Sequence, residues 1–76
     1  MANWNENPSF GYAVQTAIEL TYCEVVMQDH AFEIVFKESV AEVQLDDQFQ
    51  WRLTAGIPLP NHLIAEIGKK IESVFM

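Results

Sequence analysis

The sequence predicts an α+β fold: a four-stranded antiparallel β-meander made of two consecutive hairpins, with one C-terminal α-helix packed on one face. Three observations lead there. Residues 31–37 alternate apolar and polar side chains with period two, the pattern of a strand. The runs flanking Asp29-His30 pair in a register that gathers their apolar residues on one face. After Pro60 the spacing becomes helical, with Leu63, Ile64, Ile67, Ile71, Val74 and Phe75 in one stripe.

Residues 1–12, Asn-rich at the start and interrupted by Pro8, read as an irregular lead-in, and residues 13–76 as a single small domain. Residues 13–28 are rich in Val, Ile, Thr and Tyr and read as the first strand. Val14, Ile18, Leu20 and Tyr22 share even parity, whereas Cys23, Val25 and Met27 share odd parity. A β-bulge near Tyr22-Cys23-Glu24 would produce that switch. A helix over 13–22 is the alternative, since 14, 18, 22 and 25 share a helical face.

A two-residue loop at Asp29-His30 sets Met27 opposite Phe32, Val25 opposite Ile34 and Cys23 opposite Phe36. The other face then pairs Val26 with Glu33, Glu24 with Val35 and Tyr22 with Lys37. Residues 40–45 and 49–53 read as a second hairpin. A three-residue loop from Asp46 to Gln48 would pair Leu45 with Phe49, Val43 with Trp51 and Ala41 with Leu53, leaving Glu42 facing Arg52 as an opposite-charge pair. Ile57-Pro58-Leu59-Pro60 is extended, because each proline turns its predecessor away from helix. The helix opens at Pro60 or Asn61. Gly68 costs it about 1 kcal/mol of propensity, so the expected return is close approach of helix to sheet. Glu66 and Lys70 are spaced as an i,i+4 ion pair.

The chain has 76 residues, half of them apolar, with 11 acids against 4 bases and a net charge of −7. That suits one domain, and no run approaches the roughly 20 apolar residues of a membrane span. Residues 1–36 contain Glu6, Glu19, Glu24, Asp29 and Glu33 but no Lys or Arg. Such a field opposes direct binding of nucleic acid and allows, without demanding, a basic protein partner; net charge of this size also simply keeps a small domain soluble. Cys23 is the single cysteine, so no disulfide forms within the chain. With no basic and apolar leader pattern at the start, the expected location is cytoplasmic.

Candidate chemistry is sparse. Cys23 and His30 could form a thiolate pair, but the register turns Cys23 to the core and leaves His30 in a turn. Asp46-Asp47 reads as turn chemistry, because calcium loops need more oxygen ligands and a glycine. One Cys and two His (His30, His62) are a poor zinc set. Gly11, Gly56 and Gly68 are isolated, so there is no phosphate-cradling loop. The sequence therefore nominates no catalytic residue, no cofactor and no metal ligand. It nominates Glu19, Tyr22, Glu24, Val26, Glu33 and Val35 as partner-binding residues on the sheet face away from the helix. The expected function is a small acidic, non-enzymatic protein-interaction module that also self-associates as a homodimer. The alternatives are a purely structural homo-oligomer, or a ligand-binding or enzymatic site completed only at a subunit seam lined by Tyr22, His30 or Glu33.

Overall fold

In the computed structural model, which describes residues 7–16 and 18–76, five strands precede one helix. These are β1 (Ser9–Gln15), β2 (Leu20–Met27), β3 (Phe32–Val35), β4 (Val40–Leu45), β5 (Trp51–Gly56) and α1 (Asn61–Phe75). Strand order follows sequence order and every neighbouring pair is antiparallel. The class is α+β with a C-terminal helix, as expected, but the meander has five strands and not four.

The extra strand lies where the sequence suggested one bulged strand. Residues 9–12, assigned to the irregular lead-in, join 13–15 in β1; Asn7 and Pro8 lead directly into the strand, and residues 1–6 lie outside the described residues. The chain reverses between Thr16 and Glu19. The Thr16 N–H donates to the Glu19 carbonyl at 2.8 Å, and the Thr16 hydroxyl donates to that carbonyl while accepting from the Glu19 N–H. The reversal sets Tyr12 opposite Cys23 and Phe10 opposite Val25, so even positions of β1 share a face with odd positions of β2. A tight hairpin flips parity as a bulge does. Neither the bulge at Tyr22-Cys23-Glu24 nor a helix over 13–22 occurs.

The β2–β3 register is the expected one: Met27 faces Phe32, Val25 faces Ile34, Val26 faces Glu33 and Glu24 faces Val35. The Gln28 N–H closes the loop onto the Ala31 carbonyl at 2.8 Å, leaving Asp29 and His30 at the tip. The β4–β5 register differs by two residues from expectation. Leu45 faces Trp51, Val43 faces Leu53, and an irregularity at Glu42/Val43 brings Glu42 opposite Ala55 instead of Arg52. The cause is Asp46. Its Oδ1 accepts from the Gln48 N–H at 2.8 Å and from the Gln50 N–H at 2.9 Å, and its own N–H donates to the Gln50 carbonyl. These bonds extend the loop to residue 50 and drive Phe49 to φ 61°, exposed at 81%, where an inward residue was expected.

The core lies between the inner sheet face and α1. Val14, Cys23, Val25, Ile34, Ala41 and Val43 are fully buried against Ile67 and Ile71, with Leu63 and Ile64 nearly so. Val74, the one member of the helical stripe left outside, is half exposed. Phe32 stacks on Phe75 at 5.7 Å and meets Trp51 edge-on at 5.5 Å. Gly68 does what its propensity cost implies. A Cβ there would fall 2.6 Å from Trp51 Nε1 and closer still to the indole carbons, so only glycine lets the ring lie against the helix. Glu72 Oε2 then accepts the indole N–H at 2.9 Å. The expected Glu66–Lys70 pair does not form. Lys70 Nζ sits 5.5 Å from the Tyr12 ring centroid, and among the described residues the ion pair is Arg52–Asp46.

Candidate functional site

With the helix covering one face, β1–β4 present the other to solvent, and the register arranges it in rows. One row runs Ser9, Val26, Glu33, Glu42, Ala55, and the next runs Gly11, Glu24, Val35, Val40. Tyr22 follows opposite Ala13. Tyr22, Glu24, Val26, Glu33 and Val35 thus share one face, and Glu19 stands at its end in the β1–β2 turn. Glu42, Val40 and Leu20 belong to the same face, although the partner-binding set does not include them. The shorter β4–β5 loop set Glu42 on this face against Arg52, which made it look neutralised.

The face mixes apolar and acidic groups. Tyr22 is exposed at 67% and Leu20 at 66%, with Val40 half exposed. The Tyr22 ring lies across β1 over Gly11, whose Cβ, if present, would fall 2.6 Å from the tyrosine Cζ. Glu19, Leu20, Tyr22, Glu24, Val35 and Lys37 border an open depression of about 520 Å³. Two of the acids, Glu24 and Glu42, are held by neutral donors. Ser9 Oγ donates to Glu24 Oε2 at 3.2 Å, and Glu42 Oε2 accepts from Gln44 Nε2 at 3.2 Å and Thr54 Oγ1 at 2.9 Å. Glu33 stands directly opposite Glu42. Like charges in that relation destabilise a sheet.

The other candidate groups are scattered. Cys23 is fully buried beneath the helix, while His30 is exposed at the hairpin tip. Burial, with Glu66 adding a smaller push, raises the Cys23 thiol to about 11, the opposite of a reactive cysteine. Burial also raises Tyr12, helped by Cys23 and Glu66, and the Tyr12 hydroxyl is buried without a hydrogen-bond partner. Tyr22 and His30 lie at opposite ends of the β2–β3 hairpin, so they line no common seam within the chain. Among the described residues no group of three or more His, Cys, Asp or Glu could hold a metal, and no helix is long and apolar enough to cross a membrane. A second concavity, an apolar cup of about 330 Å³, opens where α1 begins, between Phe36, Ile57, Leu59 and Leu63.

Comparison with protein-family models, curated proteins and solved structures finds no match. The functional argument rests on this geometry.

Proposed function

We propose that the chain is a non-enzymatic protein-interaction module that binds a basic, partly apolar partner segment on the outer face of its sheet. The observation that carries this reading is the Glu33–Glu42 pair. Two glutamates in cross-strand register, with Glu24 one row away, place like charges where a lysine would stabilise the sheet. A surface that keeps such a pair is explained by what it binds. Tyr22, Val26, Val35 and Val40 between the acids supply apolar area, and the acids supply orientation and encounter rate. Lys37 is the nearest cation at the depression, and Arg52 is already engaged by Asp46. A cytoplasmic setting belongs to this reading, since a lone, buried Cys23 asks for no oxidising compartment.

The test is an NMR titration of the full chain with a peptide of alternating Lys and Val. The expected shifts fall on β2, β3 and β4, weaken with added salt, and disappear in the Glu24→Gln/Glu33→Gln/Glu42→Gln variant. Shifts centred on α1, or unchanged binding by the triple variant, would refute the reading.

A further inference from the structure

The two edges of the sheet are unlike. Edge strands invite pairing with other chains and are normally blunted by charge, proline or a bulge. β5 has those defences within it: Arg52, the irregularity opposite Glu42/Val43, and Gly56 at φ 91°. β1 has none over its seven residues, which read Ser-Phe-Gly-Tyr-Ala-Val-Gln without charge, proline or bulge.

The hydrogen bonds show which backbone groups of β1 are open. Met27 N–H donates to the Pro8 carbonyl and Thr16 N–H to the Glu19 carbonyl, each at 2.8 Å. Both pairs belong to the β1–β2 register, so its even positions bond to β2. The odd positions, Ser9, Gly11, Ala13 and Gln15, turn their N–H and C=O to the free edge. Among the described residues no segment pairs with them. Three of the four side chains are very small, so the edge is easily approached.

We infer that β1 pairs antiparallel with β1 of a second copy about a twofold axis at Tyr12, joining two sheets into one of ten strands. Tyr12 is the midpoint of β1, and this register is the one that matches every outward group. Ser9 meets the partner's Gln15, and Gly11 meets the partner's Ala13. On the inner face Phe10 comes opposite the partner's Val14, and Tyr12 opposite the partner's Tyr12. Phe10 and Tyr12 are only partly buried in the single chain, so pairing covers apolar surface there. No charged residue meets another in either row, which matters for a chain of net charge −7. Glu24, one strand back, is the acid that reaches β1, and its carboxylate accepts from Ser9 Oγ at 3.2 Å.

The charges above the sheet fit the same occupant. Glu66 and Lys70 lie on the β1 side of α1, both acting on Tyr12. A twofold axis perpendicular to the sheet keeps both helices on one side and sets them antiparallel. The Glu66-to-Lys70 order of one helix then runs against the reverse order of the other, a complementary arrangement. The acidic outer face stays open in both copies, so this pairing stands or falls apart from the partner-binding reading.

The test is light scattering on the full chain from micromolar concentration upward, with amide exchange on the same samples. The expected mass is twice 8.7 kDa, with the Gly11, Ala13 and Gln15 amides protected in the dimer and exchanging freely on dilution. Ala13→Lys places a charge at the seam and raises the dissociation constant by about tenfold or more, with circular dichroism unchanged. Should that variant fail to fold, Ala13→Pro serves. Its lost N–H points outward, so the bonds to β2 survive. A chain that stays monomeric throughout, or a dimer that both variants leave intact, overturns the pairing. So does a dimer whose odd β1 amides exchange as fast as in the monomer.

Discussion

Gly68→Ala sets two physical effects of opposite sign against each other. In a helix interior free of packing, alanine is favoured over glycine by about 1 kcal/mol. Here the new Cβ would lie 2.6 Å from Trp51 Nε1 and nearer to the neighbouring ring carbons, well inside van der Waals contact. Either α1 lifts from β5 or the indole shifts by about an ångström. A shifted indole loses its edge contact with Phe32 and strains its bond to Glu72. Overpacking of this kind costs about 1–3 kcal/mol, and the partly exposed Trp51–Glu72 bond adds about 1 kcal/mol. After subtracting the propensity gain, the net loss is about 1–3 kcal/mol. For a domain of this size that lowers Tm by on the order of 10 °C. Thermal and urea unfolding followed by circular dichroism at one fixed protein concentration reads it, because self-association would shift both. The cycle with Trp51→Leu isolates the cause: in that background Gly68→Ala should stabilise the protein. A stabilising Gly68→Ala in the wild-type background, or a loss that persists without the indole, refutes the packing account.

Three further outcomes follow from single side chains. Tyr12→Phe removes a buried hydroxyl without a partner and should stabilise by about 1 kcal/mol in urea unfolding; an equal loss would mean the hydroxyl is satisfied. The Asp46 carboxyl is held below its ordinary range by the Gln50 N–H first, then by Arg52 and the Gln48 N–H. Its stabilising contribution is therefore complete above the ordinary aspartate pKa and is lost as pH falls through the lowered one, so Asp46→Ala should flatten that part of the acid limb of the stability–pH curve. Glu33→Lys replaces a like-charge pair with an opposite one and should stabilise the sheet by about 0.2–1 kcal/mol, while abolishing binding of the Lys-Val peptide.

The β2–β3 hairpin was legible because two patterns agreed: the register that gathered Val25, Met27, Ile34 and Phe32 also gave a coherent opposite face. The β1–β2 hairpin was not, because residues 16–19 read Thr-Ala-Ile-Glu, with none of the Gly, Pro, Asn or Asp that punctuate turns. The reversal rests on the Thr16 hydroxyl bridging to Glu19, a signal that a β-branched residue in a β-rich run conceals. At β4–β5 the misleading residue was Phe49. Its size suggested an inward position, but the Asp46 carboxylate organises the loop and leaves the ring in water. That two-residue difference in register also hid that Glu42 lacks a cation opposite it. The outer-face residues of β2 and β3 were legible because they follow from the hairpin that was read correctly, whereas the partner of Glu42 depended on the one that was not.

In a strand, the alternation that aims side chains up or down also aims N–H and C=O groups left or right. At β1 the residues whose side chains join the outer face are therefore the same ones that hold the free edge. Ser9, Gly11 and Ala13 meet both demands by being small. They leave room for the Tyr22 ring to lie across the strand, and they leave the edge unobstructed. A bulky or charged residue at any of them would alter the rim of the acidic face and the seam together. Substitutions on β3 and β4, at Glu33 or Glu42, would alter the face alone, whereas Glu24 also touches Ser9. Two binding events that share a strand are in this way separable by position, and the separation is fixed by strand geometry before any particular contact is considered.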